Sequence, residues 1–200
     1  MLNAPLNLLA TALCLMASGV AAAAARSTDV KPKYYFKISN IICQDPAIIP
    51  MAKELLETEV ASRPEFTMDL GAESEDAQIA ELRKQGMQGF QVSMRIVSLK
   101  KDIKPPAPGN RDRQLSIDVK LAVFGHTIPG NKLLFTGDGD ASLTGEFSER
   151  LKDKEDERFT RTALASAIKQ AVSTAVVKLT TPKLEDKGSR KKKPAKAKHQ

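Results

Sequence analysis

Regular alternation of apolar and polar positions over residues 90–143 predicts three β-strands. Leu115–Val123 has Leu, Ile or Val at every second position, with polar or small residues between them. A period of two places one set of side chains on each face of a strand, so this segment is predicted to be half-buried. Phe90–Leu99 alternates in the same way, and Leu133–Leu143 follows the turn Ile128-Pro129-Gly130-Asn131. The two strands that flank this turn are therefore predicted to form an antiparallel hairpin.

Residues 33–70 predict two more strands. Lys33–Cys43 is rich in aromatic and β-branched residues, with Tyr34, Phe36 and Ile38 on one face. These residue types are common in strands because they fit a pleated, half-buried surface. Glu65–Leu70 is predicted to be a second, shorter strand.

Apolar residues at steps of three and four predict three helices. Asp45-Pro46 resembles a helix N-cap, but Pro50 indicates that the first regular helix begins near Met51, and it ends before Pro64. The second covers Asp76–Lys84, and the third, which is the longest, covers Glu155–Leu179. The apolar face of the third helix is rich in alanine, which lets a helix lie close against a sheet. That face consists of Phe159, Ala163, Leu164, Ala167, Ile168, Ala171, Val172, Ala175, Val176 and Leu179.

These elements follow the order β-α-β-α-β-β-β-α over residues 33–180. The order predicts an α+β fold in which a mixed, mainly antiparallel sheet of about five strands packs against two or three helices. A chain of 200 residues is long enough for one such domain with terminal extensions.

The amino-terminal 25 residues have the pattern of a secretory signal peptide. They contain no charged side chain and are followed at once by Arg26. An apolar stretch over Leu8–Val20 and a run of alanines at 21–25 fit the apolar region and the small-residue cleavage site of such a peptide. The alternative is an uncleaved membrane anchor, although the apolar run is shorter than the roughly 20 residues that a span needs. Residues 26–32 then form a short linker, and the protein is expected to be periplasmic or secreted.

The two cysteines are not expected to form an internal disulfide. Cys14 lies in the leader, and Leu13 before it is not the small residue that a lipoprotein cleavage site requires. Removal of the leader leaves Cys43 as the only cysteine, so no intramolecular disulfide can form. Cys43 is expected to be a small buried hydrophobic residue, and an intermolecular disulfide is the alternative.

Positive charge is concentrated in residues 181–200. From Pro182 onward there are eight lysines and arginines against two carboxylates, a formal charge of +6 out of +7 for the whole chain. With Leu184 as its one large apolar residue, this tail is predicted to be disordered. Basic residues spaced by Ala and Pro bind polyanions without reading a sequence, and a tail that only maintains solubility is the alternative. The predicted anion-binding residues are Arg190, Lys191, Lys192, Lys193, Lys196 and Lys198.

The sequence offers few groups for catalysis or metal binding. His126 and His199 are the only histidines, and His126 is expected to be a solvated residue of the hairpin loop. Asp138 and Asp140 lack the further ligands of a calcium site, so they are expected to share the solvent face of a strand. The loop at 109–113 is expected to be solvated, with anion binding as the alternative. We therefore predict no enzyme, no cofactor, no metal site and no small-molecule substrate. An aromatic content of 4% without Trp also argues against an aromatic platform for sugars or nucleobases.

Three segments carry a resemblance to known envelope domains: GFQVSMRIVSLK, the hairpin LSIDVKLAVFG with NKLLFTGDGDASL, and the closing helix RTALASAIKQAVSTAVVKL. In this order they resemble the family of the curli secretion-channel lipoprotein. Similar domains are the amino-terminal domain of the Tol propeller protein, the lipoprotein activator of penicillin-binding proteins, and the carboxy-terminal segment of some bacterial HEAT-repeat proteins. The chain departs from the lipoproteins because it lacks their lipidated Cys, and none of the channel family's membrane-spanning hairpins can be placed on it. The resemblance implies a periplasmic α+β interaction module rather than a pore or an enzyme.

Two functions follow from these features. The first is an exported, non-enzymatic envelope protein that docks on an envelope protein partner while its tail binds anionic lipid, lipopolysaccharide or another polyanion. The second is a polyanion-binding or nucleic-acid-binding protein in which the tail is the main activity. They differ in whether affinity resides in residues 33–179 or in residues 182–200.

Overall fold

The computed structural model describes residues 31–106, 112–148, 150 and 152–181 and has the predicted α+β fold. The strands are β1 (Tyr34–Ile42), β2 (Phe66–Thr67), β3 (Gln88–Lys104), β4 (Arg113–Ile128) and β5 (Leu133–Phe147). The helices are α1 (Ile49–Ala61), α2 (Glu75–Gln85) and α3 (Lys152–Thr180), and a short 3-10 turn, Pro46–Ile48, precedes α1. The predicted order of strands and helices is confirmed.

The five strands form one sheet in the order β2-β1-β3-β4-β5. β1 pairs in parallel with β2 and β3, and the three long strands β3, β4 and β5 pair antiparallel. The predicted mixed, mainly antiparallel sheet is therefore confirmed. β1 is much shorter than β3 and pairs with it only over Gln88–Arg95. From Ile96 to Lys104, β3 has β4 on one side and no strand of the described residues on the other.

The core lies between the sheet and the helices α1 and α3. Its residues include Leu56 and Val60 of α1, Ile168 of α3 and Phe90 of β3, each with 1% or less of its surface exposed. Aromatic rings gather at the β1 end of this core, where Phe36 stacks on Phe66 with ring centroids 4.3 Å apart. The packing of α3 against the sheet on its predicted alanine-rich face is confirmed, since Ala163, Ala167, Ala171 and Ala175 are all buried.

Helix α3 approaches β5 closely because β5 has glycine where the two elements meet. A Cβ atom at Gly139 would lie 2.0 Å from the carbonyl oxygen of Ala167, and one at Gly137 would lie 2.0 Å from the carbonyl oxygen of Ala171. Any side chain at these positions would meet the helix backbone itself. Glycine in β5 and alanine in α3 together therefore set the distance between helix and sheet.

Helix α2 lies on the other face of the sheet. The side chain of Leu82 occupies the space beside Gly89, where a Cβ would come 2.5 Å from its Cδ1 atom. Phe90, the next residue, points into the core, so Gly89 faces away from it. Only Gln78 and Leu82 of α2 are buried, and α2 is therefore attached to the sheet over a small area.

The predicted strand ends were wrong: β4 and β5 continue beyond Val123 and Leu143, to Ile128 and Phe147, and the ends of β2 and β3 also differ. β2 ends at Thr67 because the next residues form a tight turn, in which the Asp69 amide donates to Thr67 Oγ1 at 3.2 Å and the Gly71 amide donates to Asp69 Oδ1 at 2.7 Å. β3 continues five residues past Leu99, because the pairing with β4 shifts by one residue between Ile96 and Ser98 and then resumes. This β-bulge interrupts the apolar alternation without ending the strand.

Candidate interaction surface

The residues with the clearest sequence prediction lie outside the described part of the structure. The basic tail residues Arg190, Lys191, Lys192, Lys193, Lys196 and Lys198 belong to this group, and so does the leader at 1–25. Their predicted roles stay predictions. Residues 109–111 of the loop considered for anion binding also lie outside the described residues.

His126 lies in strand β4 and not in the hairpin loop, so that expectation was wrong. β4 continues to Ile128, and the hairpin closes where the Thr127 amide donates to the Lys132 carbonyl at 2.9 Å. His126 pairs with Gln91 of β3 and, at a β-bulge, with Leu133 of β5. Its imidazole is half-buried rather than fully solvated.

Asp138 and Asp140 are exposed on the outer face of β5, as predicted. They alternate with Gly137 and Gly139, which face α3. The described residues contain no group of three or more His, Cys, Asp or Glu side chains placed to hold a metal ion. In the sequence TGDGDAS, the two glycines therefore allow α3 to pack on one face of β5, and the two aspartates lie on the solvent face.

Cys43 is a free thiol that follows the end of β1 and is half-buried against the core. It lines a recess of about 370 Å³ at the corner where β1 leaves the sheet and β3 continues. Val97 of the β3 bulge lies on the same recess and has 56% of its surface exposed. The recess thus joins the end of β1 to the unpaired part of β3.

Side chains of α3 cap the outer edge of β5 over Thr136–Asp140. Gln170 accepts a hydrogen bond from the Asp140 amide at 3.0 Å, and Lys178 donates to the Thr136 carbonyl at 2.6 Å. Thr174, between them on the helix, donates to the Gln170 carbonyl of its own helix at 2.9 Å, and its hydroxyl lies 3.5 Å from the Asp138 carbonyl. These bonds occupy edge groups that would otherwise be free to pair with another strand.

The unpaired stretch of β3 has no such cap among the described residues. No hydrogen bond from a described helix or loop reaches the backbone of Ser98–Lys104, which is bonded only within its ladder with β4. The stretch carries three lysines and one aspartate. Lys101 turns toward α3, where its ammonium lies 2.8 Å from the Asp156 carboxylate. This stretch, which we name the β3 edge, and the adjoining recess form the candidate interaction surface.

An ion pair joins helix α1 to helix α3. Arg161 donates to both carboxylate oxygens of Glu54, at 3.0 and 3.2 Å. These hydrogen bonds and the charge of the guanidinium hold the pKa of Glu54 below its ordinary value and raise that of Arg161. Nearby, Arg63 joins Glu59 of α1 to Ser173 of α3, with both contacts at 2.8 Å. These contacts stabilise the helix layer and do not form a site.

Sequence reasoning missed the β3 edge because its polar residues resemble a loop. Past the bulge, Ser98, Lys100, Asp102 and Lys104 alternate with Leu99, Lys101 and Ile103. The period of two therefore continues, shifted by one residue. Recognising it requires allowing for a bulge at Val97.

Among the described residues, none of the helices combines the length and the hydropathy of a membrane span. No family model and no curated protein sequence matches the chain. Among solved structures, a candidate lipoprotein from Caulobacter crescentus is similar over 72% of this chain and 92% of its own, with 10% identity and a TM-score of 0.44. Rare lipoprotein B from Shewanella oneidensis is similar over 72% of this chain and 98% of its own, with 14% identity and a TM-score of 0.39.

A minor lipoprotein from Acinetobacter baumannii covers 74% of this chain and 92% of its own, with 6% identity and a TM-score of 0.39. At TM-scores below 0.5, these similarities carry no functional inference. The resemblance to the curli-channel, Tol-propeller and penicillin-binding-protein activator families remains a prediction from the sequence pattern.

Proposed function

We propose that the protein is an exported, non-enzymatic interaction protein of the cell envelope. In this proposal the α+β domain docks on a partner protein, and residues 181–200 tether it electrostatically to anionic envelope components. The observation that carries the proposal is the separation of charge along the chain, since the tail holds +6 of the formal +7. The uncharged, apolar leader at residues 1–25 supports export.

The domain and the tail have different physical properties, and this supports two separable roles. The described domain has a complete apolar core with buried residues from the sheet, α1 and α3. The tail has almost no apolar surface to contribute to that core. Clusters of basic residues bind anionic surfaces at about 1 kcal/mol per Lys or Arg, an attraction that salt screens.

A comparison of the full chain with one that ends at Thr181 tests the tether. Both are sedimented with vesicles of phosphatidylcholine containing anionic phosphatidylglycerol. We expect the full chain to co-sediment at low salt and the shortened chain to stay in solution, with melting temperatures that differ little. Equal sedimentation of the two chains would remove the tether from the proposal. Amino-terminal sequencing of the protein from an expressing bacterium tests export, for which we expect cleavage near Ala23–Ala25.

The second candidate is a polyanion-binding or nucleic-acid-binding protein whose tail is the main activity, favoured by the same concentration of charge. It predicts that the tail accounts for all binding to partners. The first candidate predicts that the domain keeps an affinity of its own.

A further inference from the structure

We propose that the β3 edge, Ser98–Lys104, binds an extended segment of a partner protein that alternates apolar and acidic residues, by adding it to the sheet as a strand. The inference rests on the proposed function only in treating the α+β domain as an interaction module. It does not depend on the basic tail.

The register of the sheet shows which amides face the open side. The Thr127 amide donates to the Lys132 carbonyl across the hairpin. The backbone N–H and C=O groups of odd-numbered residues in β4 therefore bond to β5, and those of even-numbered residues bond to β3. Their partners in β3 are the even-numbered residues, such as Lys100 opposite Asp118. The backbone groups of the odd-numbered residues therefore face the open side. These residues are Leu99, Lys101 and Ile103.

Contacts on the other side of the bulge agree with this assignment. Ser39 of β1 donates to the carbonyl of Val92 at 3.1 Å, and the Gln88 amide donates to the Lys33 carbonyl at 3.1 Å. Before the bulge, even-numbered residues of β3 thus face β1. The pairing with β4 shifts by one residue between Ile96 and Ser98. Beyond this bulge, the odd-numbered residues of β3 therefore face the open side.

The β3 edge is regular enough to accept a strand. Its pairing with β4 has no register shift from Ser98 to Lys104. The outer side of β1, which is also unpaired beyond Tyr35 among the described residues, has a register shift between Ile38 and Asn40. A bulge in the middle of an edge hinders strand addition, so β3 is the better template.

The two rows of side chains on the β3 edge define the chemistry of the segment that fits it. Lys100 and Lys104 lie in one row on either side of Asp102; each lysine favours an acidic residue beside it, and the position beside Asp102 favours a neutral one. The other row contains Leu99, which packs against the core, and Ile103, which is 40% exposed. Apolar side chains on that face of an added strand would extend the core and cover Ile103. A segment with alternate acidic and apolar residues satisfies both rows.

A second copy of the same edge is a poor partner. Antiparallel pairing of two β3 edges would bring together two segments with three lysines and one aspartate each. Like charges facing each other across strands are destabilising, and lysines on an edge are a common protection against self-association. The charge that opposes a second β3 edge attracts an acidic strand.

The probe is the capped peptide Val-Glu-Val-Thr-Val-Glu-Val, whose palindromic sequence suits either strand direction. Its control carries N-methyl groups on the three central amides, which keep its charge but prevent pairing as a strand. Both peptides can bind the basic tail through charge, so hydrogen exchange of individual backbone amides is followed by NMR on the full chain. We expect the plain peptide to slow exchange at Leu99, Lys101 and Ile103, and the methylated peptide to leave them unchanged.

Two variants locate the binding. Ile103→Pro removes one edge amide and no bond to β4, so it should abolish the protection, whereas Ile103→Val keeps the amide and should bind within about twofold of the parent. Lys100→Glu with Lys104→Glu should weaken binding about tenfold, because two favourable charge pairs become unfavourable. Exchange within the β3–β4 ladder reports that each variant is folded.

The proposal is overturned if the plain peptide protects none of the three amides or if both peptides protect them equally. It is also overturned if the three amides are already protected in the free chain. Protection that rises with protein concentration would then assign the edge to a second copy, and protection independent of concentration would assign it to another segment of this chain. None of these results bears on vesicle binding by the tail.

Discussion

Gly139 of β5 lies directly against the backbone of Ala167 in α3. A Cβ at this glycine would come 2.0 Å from the Ala167 carbonyl oxygen, 2.9 Å from the carbonyl carbon and 3.0 Å from the amide nitrogen of Ala171. All three atoms belong to the helix backbone, so no change of rotamer can make room for a methyl group. The position of α3 on the sheet therefore depends on the absence of a side chain at this residue.

Gly139→Ala should destabilise the domain by about 3 kcal/mol, because the helix must move away from a packed sheet. Urea unfolding followed by circular dichroism measures this change in free energy. Asp138→Ala is the matched control, since Asp138 is exposed and its side chain makes no hydrogen bond among the described residues. We expect the control to change stability by less than about 0.5 kcal/mol. Equal stability of the two variants would show that α3 does not depend on this close approach.

The sequence predicts most of the fold because burial follows its periodicity. The alternation over Leu115–Val123 and the three-and-four spacing in α3 correspond to residues that are buried in the structure. The role of the glycines was not predicted. The pattern TGDGDAS draws attention to its carboxylates, whereas the contacts that matter are made by the positions without side chains.

The candidate surface was harder to predict than the fold. A free edge is defined by the absence of a neighbouring strand, and that depends on where β1 ends relative to β3. The sequence of Ser98–Lys104 alone does not show where β1 ends. The lysines of this stretch are consistent with a solvated loop as well as with a protected edge, and only the register with β4 separates the two.

The Glu54–Arg161 pair should make stability depend on pH in the acid range. Because the pKa of Glu54 is lowered in the folded state by the hydrogen bonds and charge of Arg161, its contribution is present above the unfolded pKa. It is lost as the pH falls through the folded pKa. We therefore expect Arg161→Gln to lower the melting temperature at neutral pH and to differ less from the parent as the pH falls below 4 or so.

NMR titration of the Glu54 carboxyl checks the cause directly. Its pKa should rise toward the ordinary value in Arg161→Gln and stay low in Arg158→Gln, since Arg158 pairs with Glu155 on its own helix. An unchanged Glu54 pKa in Arg161→Gln would contradict the assignment of the shift to this pair.

Alanine at Lys191, Lys192 and Lys193 together should weaken the binding of the full chain to anionic vesicles and flatten its dependence on salt. Each lysine near an anionic surface contributes about 1 kcal/mol at low salt, and the attraction decays over a Debye length of roughly 8–10 Å at physiological ionic strength.

The control replaces Lys120, Lys132 and Lys154, three exposed lysines of the domain, and changes the net charge by the same amount. If net charge alone governed adhesion, the two triple variants would lose binding equally. We expect a loss only in the tail variant, because its three lysines are consecutive in the sequence and can reach the surface together, whereas the three lysines of the domain lie in β4, in the β4–β5 hairpin turn and in α3. Co-sedimentation over a salt series measures both the affinity and its slope, and equal curves for the two variants would contradict a role for the tail as the tether.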